Sequence, residues 1–528
     1  MTTENAIAEK KQKRKITFES VCTKLIFVLS AALFFAMSFW AVKYVHTYSY
    51  DFTSEHVVGA YDTLLPNLLT LGGVLVVLYV VQALLLRGTP DKQNKKVRIF
   101  WIIDMVLIGI LGFIWVTGCH VMPRDDQYQV YLSALDFSQG NFAEMEAYFY
   151  MCPQQYGLAF LYECVLWIWD SHHFIQYINI IFLVMIMYFG YQISDCLFEK
   201  PRVNLYTVLV MNAFLPLFFY VNFVYGEMGA VAACMCGIWA VFKWMKTQKK
   251  RYAFIAVAAM ILALMVRLNM VIISIALIIA LLFFALYKKN WKALILAVSL
   301  VIIPMACIKM VEFSYEARSG YEVGEGIPVI LNVAMGMQES WYGAGGYNAY
   351  NHSVFWEMDG DPYFAGEVAK EYIAGRINEF KADPGMARNF YQRKIWEQWN
   401  VGCFGSLVMT NYFDEEPFAP AQAVYMGDAT VPLMRWMENY VFVIYFGALI
   451  YSVYGIIREK DIRKTVFSMI VIGGLIFSLL WEAKARYVFP YIVMLLPVVA
   501  MGLHMCHLSV EKSIQIVTKK IRKEKRME

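Results

Sequence analysis

Three consecutive charged residues, Arg124-Asp125-Asp126, follow directly on an apolar run in the stretch HVMPRDDQYQVYLSALDFSQGNF, His120 to Phe142. A carboxylate at such a place can take a proton from a hydroxyl, and a guanidinium can hold a phosphate. Charge beside lipid is costly, so its presence there points to use. The plainer alternative is a helix cap. Tyr128, Tyr131, Leu132 and Leu135 share one face at helical spacing, and an acid ahead of them can cap that helix. A cap employs one acid and leaves the other, with the arginine, unexplained.

Residues of the same types recur at other breaks between apolar runs. Glu227 sits in the short turn NFVYGEMGA, Arg267 and Asn269 turn a tight hairpin, and WEAKARY carries Glu482, Lys484 and Arg486. Each has an ordinary structural account. Glu227 can be a solvated turn residue, Arg267 can snorkel to an interface, and Glu482 with Arg486 has the spacing of a helical ion pair. Together, acids and bases along one membrane surface suit a charged lipid head group and a reacting hydroxyl.

The elements that must position these residues are membrane helices. Of the 528 residues, 59% are hydrophobic and 17% charged. A soluble fold cannot hide that much apolar surface, and the repeated runs of about 20 apolar residues match a hydrocarbon core of roughly 30 Å. Lys10, Lys11, Lys13, Arg14 and Lys15 open the chain, and KKIRKEKR closes it at Lys519 to Arg526. Beside membrane helices such runs set orientation, so nucleic acid is not an expected partner. No signal-peptide pattern is expected at the start. Most cysteines lie inside apolar runs, where they read as small packing residues; Cys234 and Cys236 lack zinc-ligand spacing.

The basic connections fix an expected topology. Arg87 to Arg98, Lys246 to Arg251, Lys288 to Lys292 and Arg458 to Lys464 should be cytoplasmic, as should both termini. Alternation then puts Arg124, Asp125, Asp126, Glu227, Arg267, Glu482, Lys484 and Arg486 on the extracytoplasmic face. Parity between Met151 and Phe223 requires one of three apolar runs not to cross, and Gln155–Asp170 is the shortest. The expectation is an all-α polytopic protein with about 12 full crossings plus one irregular segment, hence 12–13 transmembrane helices. Residues 1–98 form a basic start plus a helix pair, and 99–310 a transmembrane core with an outer loop at 120–152. Residues 311–434 form an extracytoplasmic α-rich insertion, 435–510 the last membrane helices and 511–528 a basic tail. Within the insertion, Glu367 to Phe380 and Pro384 to Asn400 carry helical periodicity, with Asp383 placed to cap the second helix.

Walker A, GxSxG, HExxH and dinucleotide-binding patterns are absent from the sequence, so no nucleotide or redox cofactor is expected. The histidines are scattered, and His172-His173 has no ligand-spaced partner, so no metal ligands are assigned. A transporter or lipid flippase would carry ionisable residues through the bilayer core; the runs after Lys292 and Lys464 carry few. A polysaccharide polymerase or ligase using similar chemistry is a further alternative.

RDDQYQVYLSALDFSQGNF followed by YMCPQQYGLAFLYE resembles the first outer loop of bacterial GT-C superfamily glycosyltransferases, relatives of the protein O-mannosyltransferases. The matching positions are Asp126, Tyr131, Ala134, Gly140, Pro153, Gln154 and Gly157. VYGE, ending at Glu227, resembles the family's second acidic motif, and Glu482, Arg486, Tyr487, Pro490 and Pro497 resemble its C-terminal motif. Two departures stand out: the acidic loop follows the third helix rather than the first, and the acid is doubled.

The resemblance implies transfer of a sugar from a polyprenyl-phosphate-linked donor, usually with inversion, to an extracytoplasmic glycan, lipid or protein acceptor at a cell membrane. Asp126 is then the expected general base, with Asp125 as its alternate, and Glu227 positions the acceptor, assists the base or helps hold a metal. Arg486, with Arg267 and Lys484, binds the donor phosphate; Arg124, Tyr131, Gln154, Glu482 and Tyr487 complete the expected substrate-binding set. Two nearby carboxylates can hold a divalent cation, a use the family resemblance leaves open.

Overall fold

The computed structural model describes residues 18–50, 52 and 54–524. The opening basic run, Lys10 to Lys15, lies outside the described residues, as does Arg526 at the other end.

Among the described residues, ten helices are long and apolar enough to cross a membrane, and an eleventh span results if Pro201–Ala213 and Pro216–Asn222 are taken together. The chain is therefore a polytopic helical membrane protein. Two of the 12 expected crossings fall outside these ten, for local reasons. Lys250–Val266 has 17 residues, about 25 Å at 1.5 Å per residue and at the short limit for a span, yet it runs from the basic end of the bundle to Arg267 beside Glu227. The run containing Pro216 bends by 62°, because proline cannot donate to the preceding turn and its ring crowds it. Gln155–Asp170, the run expected not to cross, yields only the 11-residue helix Tyr156–Leu166, about 16 Å long and unable to span. Exposed Trp167 and Trp169 follow it, a residue type that settles at a membrane interface.

Glu227–Thr247 and Phe489–Ser513 form the centre of the bundle, with 83% and 89% of their apolar windows buried, against 22% for Leu64–Leu85 and Pro90–Cys119 at the periphery. The apolar residues that the outer helices expose, such as Ile102, Val106 and Ile110, are suited to lipid. Phe18–Lys43 packs along Thr430–Arg458 and leads into a hairpin, Tyr44–Tyr48 paired antiparallel with Val57–Tyr61. The basic connections meet at one end of the bundle, where Lys246 pairs with Glu199 and Asn290 donates to Gln248 at 2.5 Å.

The other end carries the insertion. Pro362–Ala382 and Pro384–Trp399 are capped by Asp361, which accepts from the Tyr363 amide at 2.8 Å, and by Asp383, which accepts from Met386 at 3.0 Å. A small separate core of Leu331, Ala334, Val354, Phe355, Ala365 and Ala369 holds the insertion's first helices. After Trp399 the chain dives back into the protein, with Val401, Cys403, Phe404, Leu407 and Val408 fully buried. This return segment bridges to His46 and to Val121, joining the insertion to the N-terminal hairpin and the outer loop.

Candidate functional site

The charged residues from the separate breaks converge at the insertion end of the bundle. Asp126 opens the helix Asp126–Ser138, and its Oδ2 lies 3.7 Å from Arg486 Nη2. Its position is set by the next residue. Gln127 is buried; its Nε2 donates to the Met409 carbonyl at 3.2 Å and its Oε1 accepts from the Val224 amide at 3.0 Å. The helix start is thus clamped between the return segment and the VYGE turn.

Neither acid acts as the expected cap: the helix has no side-chain capping hydrogen bond. Asp125 adopts a left-handed φ of 50° and turns outward, 66% exposed, with Arg124 Nε 3.2 Å from its Oδ2. Asp126 is left 46% exposed against a buried arginine. Of the two acids, it is the one aimed into the cluster.

Glu227 begins its helix immediately after Gly226, whose φ is 90°. It is buried, its Oε1 accepts from Arg267 Nη2, and its Oε2 has no hydrogen-bond partner among the described residues. Two glycines permit this pairing by close approach. A Cβ on Gly157 would stand 2.9 Å from the Met265 carbonyl carbon, and one on Gly226 would strike Val266. The Met265-Val266-Arg267 turn can therefore settle against both segments. The Arg267 guanidinium covers the Tyr225 ring at 3.9 Å, and Arg486 lies 5.2 Å from the same ring, within cation–π reach. Tyr225 is held in turn by Gln155 Nε2, which donates to its hydroxyl at 2.9 Å, and by the Tyr148 hydroxyl at 3.3 Å.

The WEAKARY segment is not the helix that an i, i+4 pair requires. Lys484 is extended and only Ala485–Tyr487 form a short turn. Glu482 instead meets Lys484 at 3.4 Å and accepts from the Tyr487 hydroxyl at 3.0 Å, which frees Arg486 for Asp126. The Ala483 amide donates to Gly345 at 2.7 Å, fixing the segment to the insertion.

Several members were not foreseen from the sequence. Glu55, from the N-terminal hairpin loop, lies 3.0 Å from Arg124 and 3.8 Å from Lys484. Burial raises its carboxyl, but Lys484, Arg486 and Arg124 outweigh that and hold it below the usual carboxylate range. Burial likewise depresses the Lys484 ammonium, while Glu482 and Glu55 overcome it and raise the group. The insertion contributes Tyr347, whose ring lies 5.5 Å from Lys484. Burial raises that phenol, and Asp126 and Glu482 add to the effect. Burial lowers the His352 imidazole, opposed by the same two acids. The acidic, base-free composition of residues 46–62 was the one sequence signal for Glu55.

Two expected members lie elsewhere. Tyr131 packs against His172, with ring centroids 5.7 Å apart, and Gln154 is exposed. Gln155, one residue on, is buried instead and reaches the cluster through Tyr225.

The arrangement can place a solvent-reachable carboxylate beside buried fixed cations. An anionic group bound by Arg486 and Lys484 would present its neighbouring atoms to Asp126. No protein-family model matches the chain, and no curated protein matches it.

Proposed function

We propose that this protein is a GT-C-type glycosyltransferase. It takes a sugar from a polyprenyl-phosphate-linked donor and transfers it, with inversion, to a glycan, lipid or protein acceptor on the extracytoplasmic side of a cell membrane. The observation that carries the reading is the 3.7 Å approach of half-exposed Asp126 to buried Arg486, which join the two sequence motifs that resemble the family. In the reaction the acceptor oxygen attacks the anomeric carbon and the bond from that carbon to the phosphate oxygen breaks. The acceptor proton passes to Asp126, and the polyprenyl phosphate leaves with its charge held by Arg486 and Lys484. Glu227 is the counter-ion that fixes Arg267, and Gln127 positions Asp126 through the backbone.

Glycan and lipid-linked-sugar mass spectrometry of cells with and without the gene identifies donor and acceptor; transfer by purified protein then tests the residues. Asp126→Asn is expected to reduce turnover by about 10²–10⁴-fold in a folded protein, while Asp125→Asn retains most of it. Normal turnover by Asp126→Asn removes the assignment. Arg486→Ala is expected to raise the apparent KM for donor more than for acceptor, and equal effects on both refute the phosphate role.

A further inference from the structure

We propose that His120, His173 and Asp414, with Glu415 beside them, form a zinc-class divalent-cation site that clamps the return segment of the insertion onto the ends of two membrane helices. The site lies apart from the carboxylates of the reactive cluster and does not depend on the proposed transfer reaction. Ligand-capable atoms of His120, His173 and Asp414 all lie within 4.8 Å of one another. His173 Nε2 is 3.9 Å from Asp414 Oδ2, and His120 Nδ1 is 3.7 Å from Glu415 Oε2. Tetrahedral zinc, with bonds of about 2.0–2.1 Å, holds its donors roughly 3.4 Å apart. Closure onto an ion thus needs the widest donor pair to approach by at most about 1.4 Å, within reach of side-chain rotation.

A second observation points to a ligand. Gln176 is fully buried, and its Nε2 donates to the Val121 and Asn222 carbonyls at 2.8 and 3.2 Å. Its amide orientation is therefore fixed, and Oε1 must accept. His173 Nδ1, 3.0 Å away, must donate that proton. In that tautomer Nε2 is the ring nitrogen left free to face Asp414. A histidine whose far nitrogen donates to a fixed carbonyl is the arrangement that orients metal-binding imidazoles and raises their basicity.

The backbone brings the donors together before any ion binds. The Asp414 amide donates to the His120 carbonyl at 3.1 Å, Met122 to Tyr412 at 2.8 Å, and Phe418 to Gly118 at 2.8 Å. Two imidazoles with carboxylate oxygens favour zinc or a similar borderline cation; magnesium and calcium prefer all-oxygen shells. The clamp would act on the strap that carries Arg124, Asp125 and Asp126, since Val121 both pairs with Phe413 and accepts from Gln176.

The test uses the full-length protein in detergent, stripped with a chelator and titrated with Zn²⁺ alone by calorimetry. One equivalent is expected to bind, and the thermal midpoint is expected to rise. His173→Ala and Asp414→Asn are expected to lose stoichiometric binding, and Gln176→Leu to weaken it by about 10–100-fold. His56→Ala, on the same face but outside the set, should bind as the unaltered protein does. Co²⁺ added to the unaltered protein should give the intense visible bands of a four-coordinate nitrogen–oxygen site, a readout that needs no variant to fold. Absence of stoichiometric Zn²⁺ binding, undiminished binding by His120→Ala/His173→Ala, or a weak six-coordinate Co²⁺ spectrum overturns the proposal.

Discussion

Truncating Glu227 to alanine is expected to destabilise the protein strongly, and replacing Arg267 with methionine in the same chain is expected to recover most of that loss. Glu227 is 3% exposed, and the Arg267 side chain 13%. Alanine at 227 leaves a buried guanidinium facing the Tyr225 ring at 3.9 Å; Arg486, a like charge in the same field, adds repulsion. Breaking a buried pair from one side costs about 3–5 kcal/mol, whereas exchanging both partners for apolar groups is close to neutral. The two changes should therefore couple by at least about 2 kcal/mol, or roughly 30-fold in the unfolding equilibrium. The four proteins of the cycle can be compared by denaturation in mixed detergent–SDS micelles, followed by helical circular dichroism. Single-variant losses that simply add, within about 0.5 kcal/mol, would refute the buried pair. That result would also return Glu227 to the role of a free acid available for chemistry.

Two further predictions concern the insertion. Lys394 is buried; its Nζ donates to the Leu479 carbonyl at 3.0 Å and also to Gly336. Burial pushes its ammonium down to about 7, against the opposing effect of Glu482. Above that pH the folded protein binds fewer protons than the unfolded chain, whose lysine titrates near 10.5. Stability should thus rise with pH across that window, by up to about 1.4 kcal/mol per unit. Lys394→Met should flatten the slope between pH 7 and 9, and an unchanged slope counts against this account. For sidedness, a cysteine placed at exposed Asn378 in a chain cleared of native cysteines should react with an impermeant maleimide from outside intact cells. Labelling that requires cell lysis would overturn the extracytoplasmic placement.

Much of the fold was legible because it rests on local rules. Apolar length marks membrane helices, and Asp383-Pro384 marks a helix start wherever the chain goes; both appear where the residues put them. Of the 12 expected crossings, ten are plain from length and composition, and two are marginal, the 17-residue Lys250–Val266 and the run bent at Pro216. Most of the candidate site was legible as a set, since Asp126, Glu227, Arg267, Glu482, Lys484 and Arg486 all fall at breaks on one end of the bundle.

Partner choice within the set was not legible. Glu482 and Arg486 have helical spacing, yet the segment is extended, so Arg486 turns to Asp126 instead. Asp125 reads as a cap and is not one. Glu55 and His173 acquire partners from segments far away in the chain. The sequence alone determined which charges fall at breaks between apolar runs, because hydrophobic length acts residue by residue. Only the tertiary structure decided which charge meets which. An ion pair depends on the approach of distant backbones to within a few ångströms, and that approach is set here by the bare Cα of Gly157, the clamp of Gln127 and the buried return segment after Trp399.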